Sequence, residues 1–283
     1  MFGLELENEN RQIVDIDDGK NYIVVGCSGL HPPSAMLYMS KSPNKKGSKH
    51  NGSTLNERYI NITIKILGDI EKNRNTLYDW IDTEQYVKIR YRGEGKSVYC
   101  EGYVEDCPIE IFTSNEVINL AIVCGDPYWK DLEEISMSIS RLISQFVFPF
   151  AIDSRGIPFS TLKTSNETMI YNSGAETGAR FVIECKGDIT NFLLYNSKEA
   201  ARNFSINTTL KAGWVVVIDS EATPKTCKAY LTDGSEINLM RYVGKAPTWL
   251  LLRKGTNIFG FTAESGLDNA EVSVNFTNKY LGV

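Results

Sequence analysis

Histidine, cysteine, serine and carboxylate side chains carry most protein chemistry, and here their spacing supports none of the familiar arrangements. The chain has two histidines, His31 beside Pro32-Pro33 and His50 within a Lys/Ser/Gly-rich stretch. A nucleophile that needs an imidazole base would depend on one of these turn-like positions. No G-x-S-x-G elbow and no H-E-x-x-H pair occurs. Gly93-Glu94-Gly95-Lys96-Ser97 ends like a phosphate loop, yet Arg90 stands where its first glycine belongs. A strand-like run follows instead of the helix whose N-terminal amides would hold a phosphate, so a hairpin turn is expected. Paired acids across a cleft can hydrolyse glycosides, but Glu105-Asp106 and Glu133-Glu134 are adjacent in sequence and read as solvated. No catalytic residue, cofactor or metal site is assigned, and the chain is read as a non-enzyme.

The other reactive groups read the same way. Cys27, Cys100, Cys107, Cys124, Cys185 and Cys227 are widely spaced, several within strand-like runs such as 97–104. They are expected to be reduced strand side chains, since no C-x-x-C occurs and Cys100 and Cys107 are too far apart for a zinc knuckle. Lys45, Lys46, Lys49 and His50 form a basic group without interleaved aromatics, which suits a solvated or subunit-contacting arm better than a nucleic-acid site. Aromatics such as Tyr195, Trp214, Tyr230 and Trp249 are rich in the second half, where an exposed one could stack on a sugar ring; Trp214 and Trp249, each heading an apolar run, are expected in a core. A carbohydrate-binding module recognising host cell-surface glycans is therefore the alternative function class.

The elements that position these residues are mostly β. At 283 residues the chain is long enough for two cores, and 42% hydrophobic with 23% charged residues is an ordinary globular composition. A net charge of -5 disfavours nucleic acid and anionic membrane surfaces. The acidic start and the lack of a long apolar run point to cytoplasmic synthesis without membrane insertion. Ile60, Ile62, Ile64 and Ile66 alternate with polar neighbours, which predicts a strand buried on one face. The same period fits 86–91, 97–105 and 116–124. Ile70, Leu77 and Ile81 fall at helical spacing behind Asp69 as N-cap, so one helix is expected over 69–82. Ser40 to Ser53 reads as a long exposed loop or arm. Short strand-like runs then recur at 179–185, 192–195, 214–219, 227–231, 249–253, 257–262 and 270–276, predicting an antiparallel sandwich. The expected division is a first domain over 1–134, a linker over 135–155 and a second domain over 156–283.

The segment Leu120 to Trp129 ends in Asp126-Pro127-Tyr128-Trp129, an abrupt strand stop marked by a proline and two aromatics. With the arm, alternating strand and single helix before it, this order resembles the N-terminal ring domain of the distal tail proteins (Dit) of long-tailed phages. Tyr171 to Gly178, Leu210 to Gly213 and Val272 to Val283 resemble the galectin-like jelly roll that follows it in that family. The resemblance implies a homohexameric ring at the virion tail tip, or baseplate. Its partners would be the tail tube protein, a tail-tip hub protein and a receptor-binding protein. A closed ring needs a heterologous interface, and the arm over 40–56, with Lys45, Lys46, Lys49 and His50, is expected to secure it by crossing to a neighbouring subunit.

Overall fold

The computed structural model describes residues 3–43, 46–109, 116–139, 142–144, 160–162, 167–199, 202–244 and 248–283. In chain order the strands of the first part are β1 (Gly3–Asn8), β2 (Ile13–Asp15), β3 (Tyr22–Ser28), β4 (Ala35–Ser40), β5 (Lys49–Leu55) and β6 (Arg58–Ile66). Helix α1 (Ile70–Trp80) follows, then β7 (Tyr86–Gly93), β8 (Lys96–Asp106), β9 (Val117–Cys124) and β10 (Trp129–Asp131). The remainder comprises β11 (Ile135–Ser138), β12 (Leu142–Ser144), β13 (Ser160–Leu162), β14 (Glu167–Asn172), β15 (Arg180–Cys185), β16 (Ile189–Asn196) and β17 (Asn203–Leu210). It ends with β18 (Val215–Asp219), β19 (Thr226–Tyr230), β20 (Glu236–Asn238), β21 (Gly255–Ser265), β22 (Ala270–Phe276) and β23 (Lys279–Tyr280). The chain is mostly β and divides into two compact units, Met1–Leu132 with Lys279–Val283, and Glu133–Asn278.

In the first unit one antiparallel sheet runs β2-β1-β7-β8-β9-β6-β3, with β10 pairing β8 and β23 pairing β10. Its inner face carries Ile60, Ile62, Ile64 and Ile66 from β6 beside Ile118, Leu120 and Ile122 from β9, as the period of two requires. The Asp69 side chain accepts the Lys72 amide, capping α1 where predicted, and the helix contributes Leu77 to the same core.

The second unit is a sandwich of two antiparallel sheets, ordered β11-β22-β15-β18-β19-β20 and β14-β21-β16-β17. Their inward side chains form one core. Phe181 from the first of these sheets meets Phe259 from the second edge-on, with ring centroids 5.3 Å apart. Burial pushes the Cys227 thiol up to about 12 and Cys185 to about 11, so both stay protonated at neutral pH.

Four sequence readings differ from the structure. Part of the 40–53 segment is strand: Met39 pairs with His50 and Ser40 with Lys49, so β4 templates a partner, Lys49–Leu55, whose composition reads as loop. Ile135–Ser138 is not linker but a strand paired with β22, and residues 279–283 group with the first unit because β23 pairs with β10. Most of the remaining expected linker lies outside the described residues. Trp249 to Arg253 is not a strand, since only Leu252 bridges, to Thr177. Finally β17 is an unforeseen strand, its Phe204 and Ile206 buried but its second half rich in threonine and asparagine.

Truncating Phe181 to alanine should cost about 3–5 kcal/mol. Amide exchange in denaturant would show it as lost protection in β15 and β21 with little change in β6. Equal loss in both units would contradict two separate cores.

Candidate functional site: a projecting hairpin and the clamp at its root

An arm must leave its sheet before it can reach a neighbour, and the sequence after β3 ensures this. Pro32 and Pro33 carry no amide hydrogen, so the ladder between β3 and β6 cannot run on through them. At the root the Asn56 amide donates to the Ser34 carbonyl at 3.0 Å and the Asn56 side chain to the Ser34 hydroxyl at 3.0 Å. Among the described residues, strands β4 and β5 then pair only with each other.

An isolated two-stranded hairpin is marginal in water. This one is also apolar on both faces: Met36 and Tyr38 point to one side, Leu37 and Leu55 to the other, with exposures of 53%, 48%, 60% and 39%. Met39 continues the run at 52%. Residues 34–56 hold four lysines and no acid. Of the sequence-predicted arm residues, Lys49 and His50 lie exposed on β5 and Lys46 lies exposed in the turn, while Lys45 is outside the described residues.

Three residues beyond the hairpin, Arg58 closes the root. It is in phase with Ile60, Ile62, Ile64 and Ile66, so its side chain enters the inner face and is 1% exposed. A buried guanidinium must spend its hydrogens on acceptors. Arg58 Nε donates to Pro127 O at 2.8 Å, Nη1 to the carbonyls of Gly29 and, at 2.7 Å, His31, and Nη2 to Leu281 O at 2.7 Å. The Trp129 ring lies with its centroid 5.5 Å from the guanidinium carbon and is itself fully buried. Gly29 adopts φ +87°, and a Cβ there would fall 2.0 Å from Tyr59 O, so only glycine allows the close approach that aims its carbonyl at Arg58.

The Asp126-Pro127-Tyr128-Trp129 segment thus has a definite task. Pro127 supplies an acceptor and Trp129 the aromatic wall. The Asp126 side chain accepts the Tyr128 amide at 3.2 Å and pairs with Lys130 at 3.0 Å and Lys279 at 3.6 Å, joining the turn to the C-terminal strand. Burial alone would raise the Asp126 pKa, but Lys130, Lys279 and the Tyr128 amide together hold it below its ordinary value. Sequence reading missed Arg58, although an arginine in phase with four buried isoleucines is a visible signal.

Among the described residues no cluster of His, Cys, Asp and Glu is arranged to hold a metal. Trp214 and Trp249 pack half-buried against the second core, with Trp249 5.0 Å from Phe204. Tyr230 is 42% exposed, whereas Tyr195 lies over Gly260.

Two outcomes check the clamp. Arg58→Ala should cost about 3–5 kcal/mol by orphaning buried carbonyls, read as a lower urea midpoint, with Arg58→Lys recovering only part. Asp126, with its folded pKa depressed, stabilises the first unit above about pH 4 and loses that contribution as the pH falls through the folded value. The loss of stability between about pH 5 and about pH 2 should therefore be smaller in Asp126→Asn than in the unaltered chain.

Residues 172–280 match the family described as the C-terminal domain of the siphovirus-type tail component, SPP1_Dit. No curated protein matches the chain significantly. Among solved structures, the SPP1 Dit protein (gp 19.1), described as a paradigm of hub adsorption apparatus in Gram-positive infecting phages, is similar over 99% of both chains. Its TM-score is 0.68 at 14% identity. A chain of the phage P2 baseplate in its activated conformation with Ca covers 100% of each chain at a TM-score of 0.53 and 11% identity. The corresponding Sr structure covers 98% of each at 0.52 and 12%. Residues 172–280 thus match the model of the siphovirus-type tail component's C-terminal domain, and the chain as a whole has the fold of the SPP1 Dit protein.

Proposed function

We propose that this chain is a structural hub subunit of a phage tail tip, located in the baseplate, where six copies close into a ring between the tail tube and the tip and host-adsorption proteins. The observation that carries this reading is the end-to-end likeness to the SPP1 hub protein, joined to the family match of the second unit. The first unit supplies what a ring needs. Head-to-tail closure joins two different surfaces of the same subunit, and the hairpin formed by β4 and β5 offers a neighbour an exposed apolar element. The second unit would serve as the outward docking module for receptor-binding or other peripheral components. Such work is done by surfaces and stable cores and asks for no catalytic group.

Native mass measurement and negative-stain imaging test the reading. The full chain should give a closed six-copy species. Replacing residues 35–55 by a short glycine-containing turn should leave monomers whose β-sheet circular dichroism is unchanged. A strict monomer at high concentration, or intact rings without the hairpin, would contradict the proposed closure.

A further inference from the structure

The outer face of the first unit's sheet carries a row of side chains that the core does not use. Tyr59 of β6 stands opposite Val123 of β9, Val123 opposite Tyr103 of β8, and Tyr103 opposite Tyr86 of β7. Tyr103 is 58% and Tyr59 51% exposed, and the Tyr86 and Tyr103 rings meet edge-on with centroids 6.0 Å apart. Three inter-strand steps make the row about 14 Å long, against about 10 Å for the apolar residues 36–39 of β4. Acids surround it. Glu57 accepts the Tyr59 hydroxyl at 2.9 Å, Glu101 accepts that of Tyr86 at 2.8 Å, and Glu105 and Asp106 are exposed at the end of β8.

Exposed aromatics rimmed by carboxylates call for an apolar partner that is also basic. The hairpin fits on both counts, with Met36, Leu37, Tyr38, Met39 and Leu55 exposed, and four lysines and no acid over residues 34–56. We infer that the Tyr59-Val123-Tyr103-Tyr86 row receives the hairpin of a second copy of this chain, with Lys41, Lys46 and Lys49 of the incoming hairpin facing Glu57 and Glu105. The inference rests on the ring reading and adds the receiving surface to it. Donor and acceptor lie on different parts of one subunit, as head-to-tail closure requires.

Charge exchange in the full chain provides the test. Lys41→Glu/Lys46→Glu/Lys49→Glu and, separately, Glu57→Lys/Glu105→Lys should each convert the ring to monomer in native mass spectra. A 1:1 mixture of the two, or one chain carrying all five changes, should restore it. Rings that survive either reversal, or that fail to return in the mixture, overturn the inference while leaving the ring reading intact; a monomeric unaltered chain defeats the ring reading itself. Should a variant misfold by circular dichroism, carbodiimide cross-linking of mixed ¹⁴N and ¹⁵N unaltered protein replaces it. Light–heavy cross-links from Lys46 or Lys49 to Glu57 or Glu105 support the docking, and their absence among other intersubunit cross-links overturns it. Oligonucleotide binding that is lost in the lysine variant while its rings persist would assign the lysines to nucleic acid instead.

Discussion

The first unit is organised around a buried cation that has no carboxylate partner among the described residues. Arg58 takes its charge into the inner face of the sheet and satisfies it with backbone carbonyls from three separate stretches: the exit of β3, the turn after β9 and the C-terminal tail. Backbone acceptors are fixed by the fold, so the guanidinium geometry constrains where those three stretches can lie relative to one another. Removing the side chain would not simply delete an attraction; it would leave carbonyls without donors in a region closed to water. This is why a short terminal strand, β23, can be part of a unit whose other strands all end at or before Asp131.

The same residue explains how a flexible two-stranded ribbon can be presented in a defined direction. Gly29 and His31 precede the hairpin and Arg58 follows it, so the clamp ties both legs together just outside the Ser34–Asn56 bonds. Beyond that point the ribbon pairs with no further strand among the described residues and exposes large apolar side chains on both faces. Rigid root and uncovered tip suit an element whose stabilising contacts come from another chain. The second unit is built differently, as a sandwich whose two sheets meet through phenylalanines around a core of its own.

Much of this was legible in the sequence where one physical rule dominates. The period of two in Ile60–Ile66 and the cap-and-spacing pattern of Asp69, Leu77 and Ile81 each lead directly to the observed element. Legibility failed where long-range pairing decides the outcome. Lys49–Leu55 has the composition of a loop and becomes a strand only against β4, and the apolar run from Trp249 to Leu252 reports burial without a ladder. Of the candidate site, the lysines and the Asp126–Trp129 stop were visible as local features. Their common anchor was not, because the acceptors of Arg58 come from residues 29, 31, 127 and 281 and share no local signature.

The central claim is that the clamped hairpin is covered by a neighbouring copy of the chain. Hydrogen–deuterium exchange on the full chain, compared between concentrated and highly dilute protein, tests it most directly. The account predicts that amides of 35–40 and 49–55 are protected in the concentrated, assembled state and exchange fast on dilution, while those of β6 stay protected in both. Hairpin amides that exchange fast at every concentration at which the chain is assembled would contradict it.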